Sequence, residues 1–183
     1  MDLILFFIVM ILYMFITYHV IALKYTKSRA FSGFRAETRA LLVAIHVWIV
    51  ISNILLYFWL VWRDYNPPHI ILRAAGILMF SSGLFIIFWG IHSLRKAVFV
   101  PENRVIVSGP FAFVRHPMYF GGITGAIGLA LIAGSLLGLV YSFFLALVLS
   151  HISNAEEKDL EARFGMEYAG YKKKVPKLFP RAW

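Results

Sequence analysis

The chain has 183 residues, of which 61% are hydrophobic, with 18 basic against 9 acidic side chains and a net charge of +9; its mean hydropathy is +0.77. Soluble domains run at roughly 45–50% apolar residues, so this composition excludes an ordinary soluble fold and implies an all-α membrane protein. With no cysteine, disulfides, thiolate nucleophiles and thiolate zinc sites are also excluded. The basic excess lies beside apolar spans, a placement that suits anionic lipid headgroups better than nucleic acid.

Between Leu3 and Leu23, between Ala40 and Trp62 and between Phe120 and Ser150 there is no Asp, Glu, Lys or Arg. Residues 3–23, 40–62 and about 70–94 each approach the ~20 residues that cross a hydrocarbon core of ~30 Å. The first has no basic region ahead of it and no small-residue cleavage site, so it is expected to remain as a helix. The stretch from Pro117 to Ser150 is too long for one ordinary span. Gly134-Ser135 near its middle predicts a tight turn between two short helices.

Charge chooses between four and five spans. With five spans and an outer N-terminus, only Arg63 and Arg73 lie outside, and the other sixteen basic residues lie inside. A single fourth span would divide them nine to nine, so the positive-inside rule selects five. Five of the six histidines, His19, His46, His92, His116 and His151, then sit toward the cytosolic face, and His69 lies outside. No HxxxH or similar spacing occurs among them, and no metal site is expected.

The fourth helix carries Gly121, Gly122, Gly125 and Gly128 with Ala126 and Ala130. Small residues at this spacing let backbones approach closely in lipid, which predicts a packed helical hairpin. The string has neither a preceding strand nor GxGxxG order, so it is not a dinucleotide fingerprint. Asn53 is the main polar residue deep in a span, and a helix-to-helix hydrogen bond accounts for it.

Past Ser150 the composition changes. Leu160, Phe164, Tyr168 and Tyr171 fall near i, i+4, i+8 and i+11, predicting an amphipathic helix at the inner surface. Lys172, Lys173, Lys174, Lys177 and Arg181 follow as a basic cluster suited to anionic lipid. The chain is expected to divide into a three-helix membrane region at 1–94 and a core at 95–183 that carries the chemistry.

The chemistry concentrates at the inner mouth of the bundle. Proline favours the first helical position and pushes the residue before it toward extended geometry, so His116 should stand just outside the helix that Pro117 begins. The unpaired amides at that helix start, with the charge of Arg115, suit an anion such as a carboxylate. Glu156 and Glu157 follow the last span. Adjacent helical residues point ~100° apart, so one is expected to face the bundle, here Glu156, while the other meets solvent or a cation.

Together these segments are specific. Ser108-Gly-Pro-Phe-x-x-x-Arg-His-Pro-Met-Tyr119, a glycine-rich hairpin, and Glu156-Glu157-x-x-Leu160-x-x-x-Phe164-Gly165-x-x-Tyr168-x-x-Tyr171-x-x-x-Val175 resemble the isoprenylcysteine carboxyl methyltransferase family and the related integral-membrane phospholipid methyltransferases. The resemblance covers about residues 95–180. It implies S-adenosylmethionine as cofactor, bound on the cytosolic side by Asn103, Arg104, Val105, Ile106, Phe111, His116, Pro117, Met118, Tyr119 and Glu156. The methionyl carboxylate suits the helix entrance and Arg115, the ammonium or ribose hydroxyls suit Glu156, and adenine suits an aromatic wall.

Arg115, His116 and Glu157 are the candidate catalytic residues. A carboxylate acceptor needs no general base, whereas an ammonium acceptor must first lose a proton, for which His116 and Glu157 are candidates. Phe111 stands where the family commonly has tyrosine. Ile152, beside His151, stands where the carboxyl methyltransferases carry an arginine thought to hold the acceptor carboxylate. His151 or Arg95 would have to replace it, or the acceptor is an amine or another lipid group. The expected partner is a lipid or prenylated acceptor entering from the bilayer. Membrane sterol reductases, which use a nicotinamide cofactor, resemble the family in their C-terminal part and supply the competing expectation.

Overall fold

The computed structural model of the chain describes residues 51–99, with side chains through residue 94, and residues 105–180. The span expected at 3–23, the start of the second, and Asn103, Arg104 and Arg181 lie outside these residues, as does the side chain of Arg95. All regular structure among the described residues is helical. Helix α1 occupies residues 51–63, α2 is Ile70–Phe99, a short 3₁₀ turn is Gly109–Ala112, α3 is Pro117–Ala133, α4 is Leu136–Phe164 and α5 is Met166–Lys174. Helices α2, over Ile70–Leu94, and α4 are long and apolar enough to cross a membrane, whereas α3 is shorter. Residue 94 lies within α2, which continues unbroken across the expected domain division.

The turn at Gly134-Ser135 forms as its sequence predicts. Gly134 adopts φ 66° and closes α3, and Ser135 caps α4 by accepting the Gly138 amide at 2.9 Å. A side chain at Gly134 would run into the carbonyl of Asn66, whose own amide donates to the Ala133 carbonyl at 2.9 Å. Asp64, at the end of α1, accepts the Leu137 amide at 2.9 Å and the Ser135 hydroxyl at 3.2 Å. The carboxylate thus satisfies donors at the positive end of α4, and α1, α3 and α4 are tied at one rim.

The core at this end joins Tyr57, Leu60 and Val61 of α1 with Ala133 and Tyr141. The Tyr141 hydroxyl donates to Asn53 Oδ1 at 3.1 Å, the interhelical bond expected of that asparagine. The glycines behave differently from the expected hairpin packing. Gly121 and Gly128 face α2: a Cβ on Gly83 would lie 2.6 Å from the Gly121 carbonyl, and one on Gly76 2.8 Å from the Gly128 carbonyl. The close backbone approach is therefore between α2 and α3.

Two further expectations are corrected beyond Ser150. Helix α4 does not end there but runs to Phe164, and its 29 residues reach ~44 Å at 1.5 Å per residue, well past a hydrocarbon core. The predicted amphipathic helix is broken by Gly165, at φ 55°. Leu160 and Phe164 therefore belong to α4, and Tyr168 and Tyr171 to the short α5. The aromatic face of α5 is turned into the protein, with both tyrosines buried. Lys172 and Lys177 of the basic cluster are likewise held by protein groups, because ion pairs and carbonyls lie within their reach.

Candidate active site

The corner before α3 is built locally and then pinned from a distance. Gly109, at φ 63°, allows the 3₁₀ turn to lie against α2, where a Cβ would come within 2.6 Å of the Ser93 hydroxyl. Phe111 and Val114 are buried. His116 has φ −123° and ψ 65°, outside the helix that Pro117 opens, as its proline neighbour dictates. The C-terminal segment then lies alongside: the Arg115 amide donates to the Pro176 carbonyl at 2.9 Å and the His116 amide to that of Lys177 at 3.1 Å. Lys177 Nζ donates to the Ser150 carbonyl at 2.5 Å and to Asn154 Oδ1 at 2.7 Å, fastening the segment to α4.

The side chains converge on the twin glutamates. His116 Nδ1 lies 3.3 Å from Glu156 Oε2, and Nε2 lies 3.2 Å from Glu157 Oε1. The imidazole stacks on Tyr119, with ring centroids 5.5 Å apart and planes 7° from parallel, and the Tyr119 hydroxyl donates to Glu156 Oε1. Arg115 Nε and Nη2 both reach Glu157 Oε1 at 2.8 Å. Its Nη1 donates to the carbonyls of Lys172 at 2.9 Å and Val175 at 2.7 Å.

The more deeply buried carboxylate is Glu157, at 4% exposure, and not Glu156 as the helical geometry alone suggested. Glu157 meets Arg115 and Lys172 as well as His116, whereas Glu156 meets His116 and Tyr119. Arg115 is correspondingly engaged with Glu157 and the C-terminal segment, which makes it a brace of the site. With both ring nitrogens directed at carboxylates, the arrangement favours the imidazolium form of His116, which can donate from each. Burial works against that charge, but the hydrogen bonds to Glu156 and Glu157 outweigh it and raise the His116 pKa above its ordinary 6.5.

The sign of this linkage is definite. Stability from the raised pKa is fully present below about pH 6.5 and is lost as pH rises through the folded-state value. The wild-type melting midpoint should therefore fall from pH 6 to pH 9 more steeply than that of His116→Asn. Parallel profiles would show that His116 is not held as a cation.

The sequence that builds this site has counterparts among known proteins. The sequence pattern of the phospholipid methyltransferase family matches residues 71–167, more than half of the chain, including α3, both glutamates and the Arg-His-Pro corner. The chain belongs to this family. Among curated relatives, it is 34% identical over 80 residues to a protein-S-isoprenylcysteine O-methyltransferase of Schizosaccharomyces pombe, covering 43% of this chain and 34% of the relative. It is 32% identical over 81 residues to the cobalt-zinc-cadmium resistance protein CzcN of Cupriavidus metallidurans, covering 44% of this chain and 37% of that one. A methanethiol S-methyltransferase of Bradyrhizobium diazoefficiens is 28% identical over 177 residues, covering 83% of this chain and 65% of the relative. The chain thus spans only about a third of the length of the first two. No solved structure matches it significantly.

The structure gathers some of the family-derived positions and separates others. His116, Tyr119, Glu156 and Glu157 form one cluster with Arg115, and Pro117 and Met118 begin α3 beside it, Met118 packing on Gly90. Phe111 is joined through its carbonyl to the Tyr171 hydroxyl at 2.7 Å. Val105 and Ile106 instead line a cleft of about 1080 Å³ with Trp89, Ser93, Glu167 and Lys174, a cleft that His116, Tyr119 and Glu156 do not line. Ile152 is buried in the wall of an apolar groove, whereas His151 is exposed. Nothing local in the sequence signals the roles of Lys172, Lys177 and Asp64, because their partners are distant in the chain.

Proposed function

We propose that this chain is an integral-membrane, S-adenosylmethionine-dependent methyltransferase that works at the cytosolic rim on a lipophilic acceptor drawn from the bilayer. The observation that carries this reading is the meeting of the Arg115-His116-Pro117 corner with Glu156 and Glu157, two motifs 41 residues apart. The topology that suits it has five spans, an outer N-terminus, the Asp64–Ser135 rim outside and the glutamates inside. The chemistry then lies in residues 95–183.

The donor set fits the cofactor. Glu156 offers a carboxylate for an ammonium or ribose hydroxyls, and the first amides of α3 offer donors for the methionyl carboxylate. Trp89, Glu167 and the backbone of residues 105–109 suit a nucleoside in the adjoining cleft. Asn103 and Arg104 belong to the same proposed set. When bound, S-adenosylmethionine supplies a methyl group on a sulfonium, whose carbon–sulfur electron pair passes to sulfur as the acceptor's lone pair bonds to the methyl carbon. The protein's part is to align the two and keep water out.

The acceptor's apolar portion suits the groove of about 420 Å³ between α1, α2, α3 and α4, lined by Tyr57, Phe80, Gly122, Gly125, Leu145 and Ile152 among others. Gly122 and Ile152 stand about one helical turn from Tyr119 and Glu156, so the groove leads toward the cluster. The cluster favours an acceptor that is already nucleophilic. Both His116 ring nitrogens are already directed at carboxylates, and Glu157 Oε1 takes three donors. A carboxylate or thiolate acceptor needs no base, whereas an ammonium would have to give its proton to a carboxylate already engaged in the cluster. The names of two relatives, an O- and an S-methyltransferase, accord with this choice.

Membranes containing the protein, incubated with methyl-labelled S-adenosylmethionine and a prenylcysteine, should yield a product that releases volatile methanol in mild alkali. Label held in alkali-stable amine product would overturn the acceptor class. S-adenosylhomocysteine should raise the melting midpoint of the purified protein and NADPH should not. Protection by NADPH alone would replace the methyltransferase reading with a reductase.

A further inference from the structure

Among the described residues, one buried side-chain polar atom has no hydrogen-bond partner: the hydroxyl of Tyr168, in a residue 2% exposed. Such a group is uncommon and calls for a physical reason. Its surroundings are well defined. Tyr168 packs edge-on against Tyr171, with ring centroids 5.8 Å apart. It precedes Lys172 by four residues and so shares its face of α5, and Lys172 Nζ reaches Glu157 Oε2 at 3.4 Å.

The two oxygens of Glu157 are served unequally. Oε1 accepts from Arg115 twice and from His116, whereas among the described residues Oε2 has only the long contact to Lys172. Lys172 is itself 40% exposed and lies closer to Glu161, at 2.7 Å. A lysine so placed is a weak and salt-sensitive partner. Burial, reinforced by the Glu157 charge, raises the Tyr168 pKa and keeps its proton in place as a donor.

We propose that the Tyr168 hydroxyl is the reserve donor to Glu157 Oε2 through one internal water, and is thereby a positioning residue for the Glu157–His116 pair. When Lys172 turns to Glu161 or to solvent, Tyr168 keeps the Glu157 carboxylate oriented, and His116 stays aimed at Glu156. Among the described residues, the groups that face His116 are Glu156 and Glu157 from α4 and Tyr119 from α3, with Arg115 next to it in the chain. The orientation of Glu157 therefore decides one of the imidazole's two hydrogen bonds. For its bearing on catalysis the proposal rests on the methyltransferase reading; for the state of His116 it does not.

The test is Tyr168→Phe in the full chain, with the His116 ring followed by NMR titration at low and high ionic strength. In the wild type the His116 midpoint should hardly move with salt. In Tyr168→Phe it should fall, and fall further in high salt as the Lys172 contact is screened. KM for S-adenosylmethionine should rise several-fold with a smaller change in kcat. An unchanged titration at both ionic strengths, with a melting midpoint at or above wild type, would show a trapped hydroxyl and overturn the proposal.

If Tyr168→Phe does not fold, Lys172→Met replaces it. The proposal then expects a His116 titration close to wild type, because the tyrosine takes over. A shift as large as that in Glu157→Gln would overturn it. The NMR measurement needs neither donor nor acceptor, so its failure is distinct from a failure to find methyl transfer.

Discussion

Glu157→Gln is expected to destabilise the protein by about 3–5 kcal/mol, the range for removing one partner of a buried ion pair. The substitution keeps the shape of the side chain and deletes its charge. Arg115, with a side chain 8% exposed, and His116, at 7%, would then face a neutral amide at Oε1. Arg115 also holds the carbonyls of Lys172 and Val175, so its misplacement would loosen the segment that pairs with residues 115 and 116. Glu156→Gln should behave differently. Glu156 is less buried and touches Tyr119 and His116. Its loss should weaken protection by S-adenosylhomocysteine far more than it lowers the melting midpoint of the free protein. Melting of both variants with and without S-adenosylhomocysteine separates the two roles, and equal stability losses would overturn the assignment of Glu157 as the structural carboxylate.

Gly128→Val is the second substitution of large expected effect. A Cβ there would collide with the backbone nitrogen of Phe80 and lie 2.7 Å from the Gly76 carbonyl. Backbone cannot rotate away as a flexible side chain can, so α2 and α3 must separate. The cost should reach the top of the ~1–3 kcal/mol range for overpacking or exceed it. Gly83→Val should act alike, since its Cβ would lie 2.6 Å from both the Gly121 carbonyl and the Gly125 nitrogen. Gly122→Ala is the control: no described atom lies within 4 Å of the added carbon, and alanine gains up to ~1 kcal/mol of helix propensity. The yield of monodisperse protein and its melting midpoint distinguish these outcomes. A tolerated Gly128→Val would mean that the two helices do not pack through their backbones.

The contrast between these glycines shows where sequence reading stops. All four occur in one string, and their spacing announces close packing, but only the approach of α2 reveals that Gly121 and Gly128 are obligatory while Gly122 lines a groove. The same holds for the glutamates. Helical geometry places Glu156 and Glu157 on different faces, yet it cannot say which face Arg115 will cover. Lys172 and Lys177 read as a lipid-facing cluster because nothing in their neighbourhood foretells that Glu161, Ser150 and Asn154 will receive them.

The amino-acid sequence by itself determined the features that depend on neighbours along the chain: apolar lengths matched to a membrane, the Gly134-Ser135 turn, and the exclusion of His116 from its helix by Pro117. These follow from local sterics and from the hydropathy of continuous segments, which need no knowledge of distant contacts. Tertiary structure alone decided which helix meets the glycines, which glutamate is buried, that Arg115 braces the site, and that the C-terminal tyrosines turn inward. Each of those outcomes is a competition among partners tens of residues apart, settled by burial and ion pairing after the helices have docked.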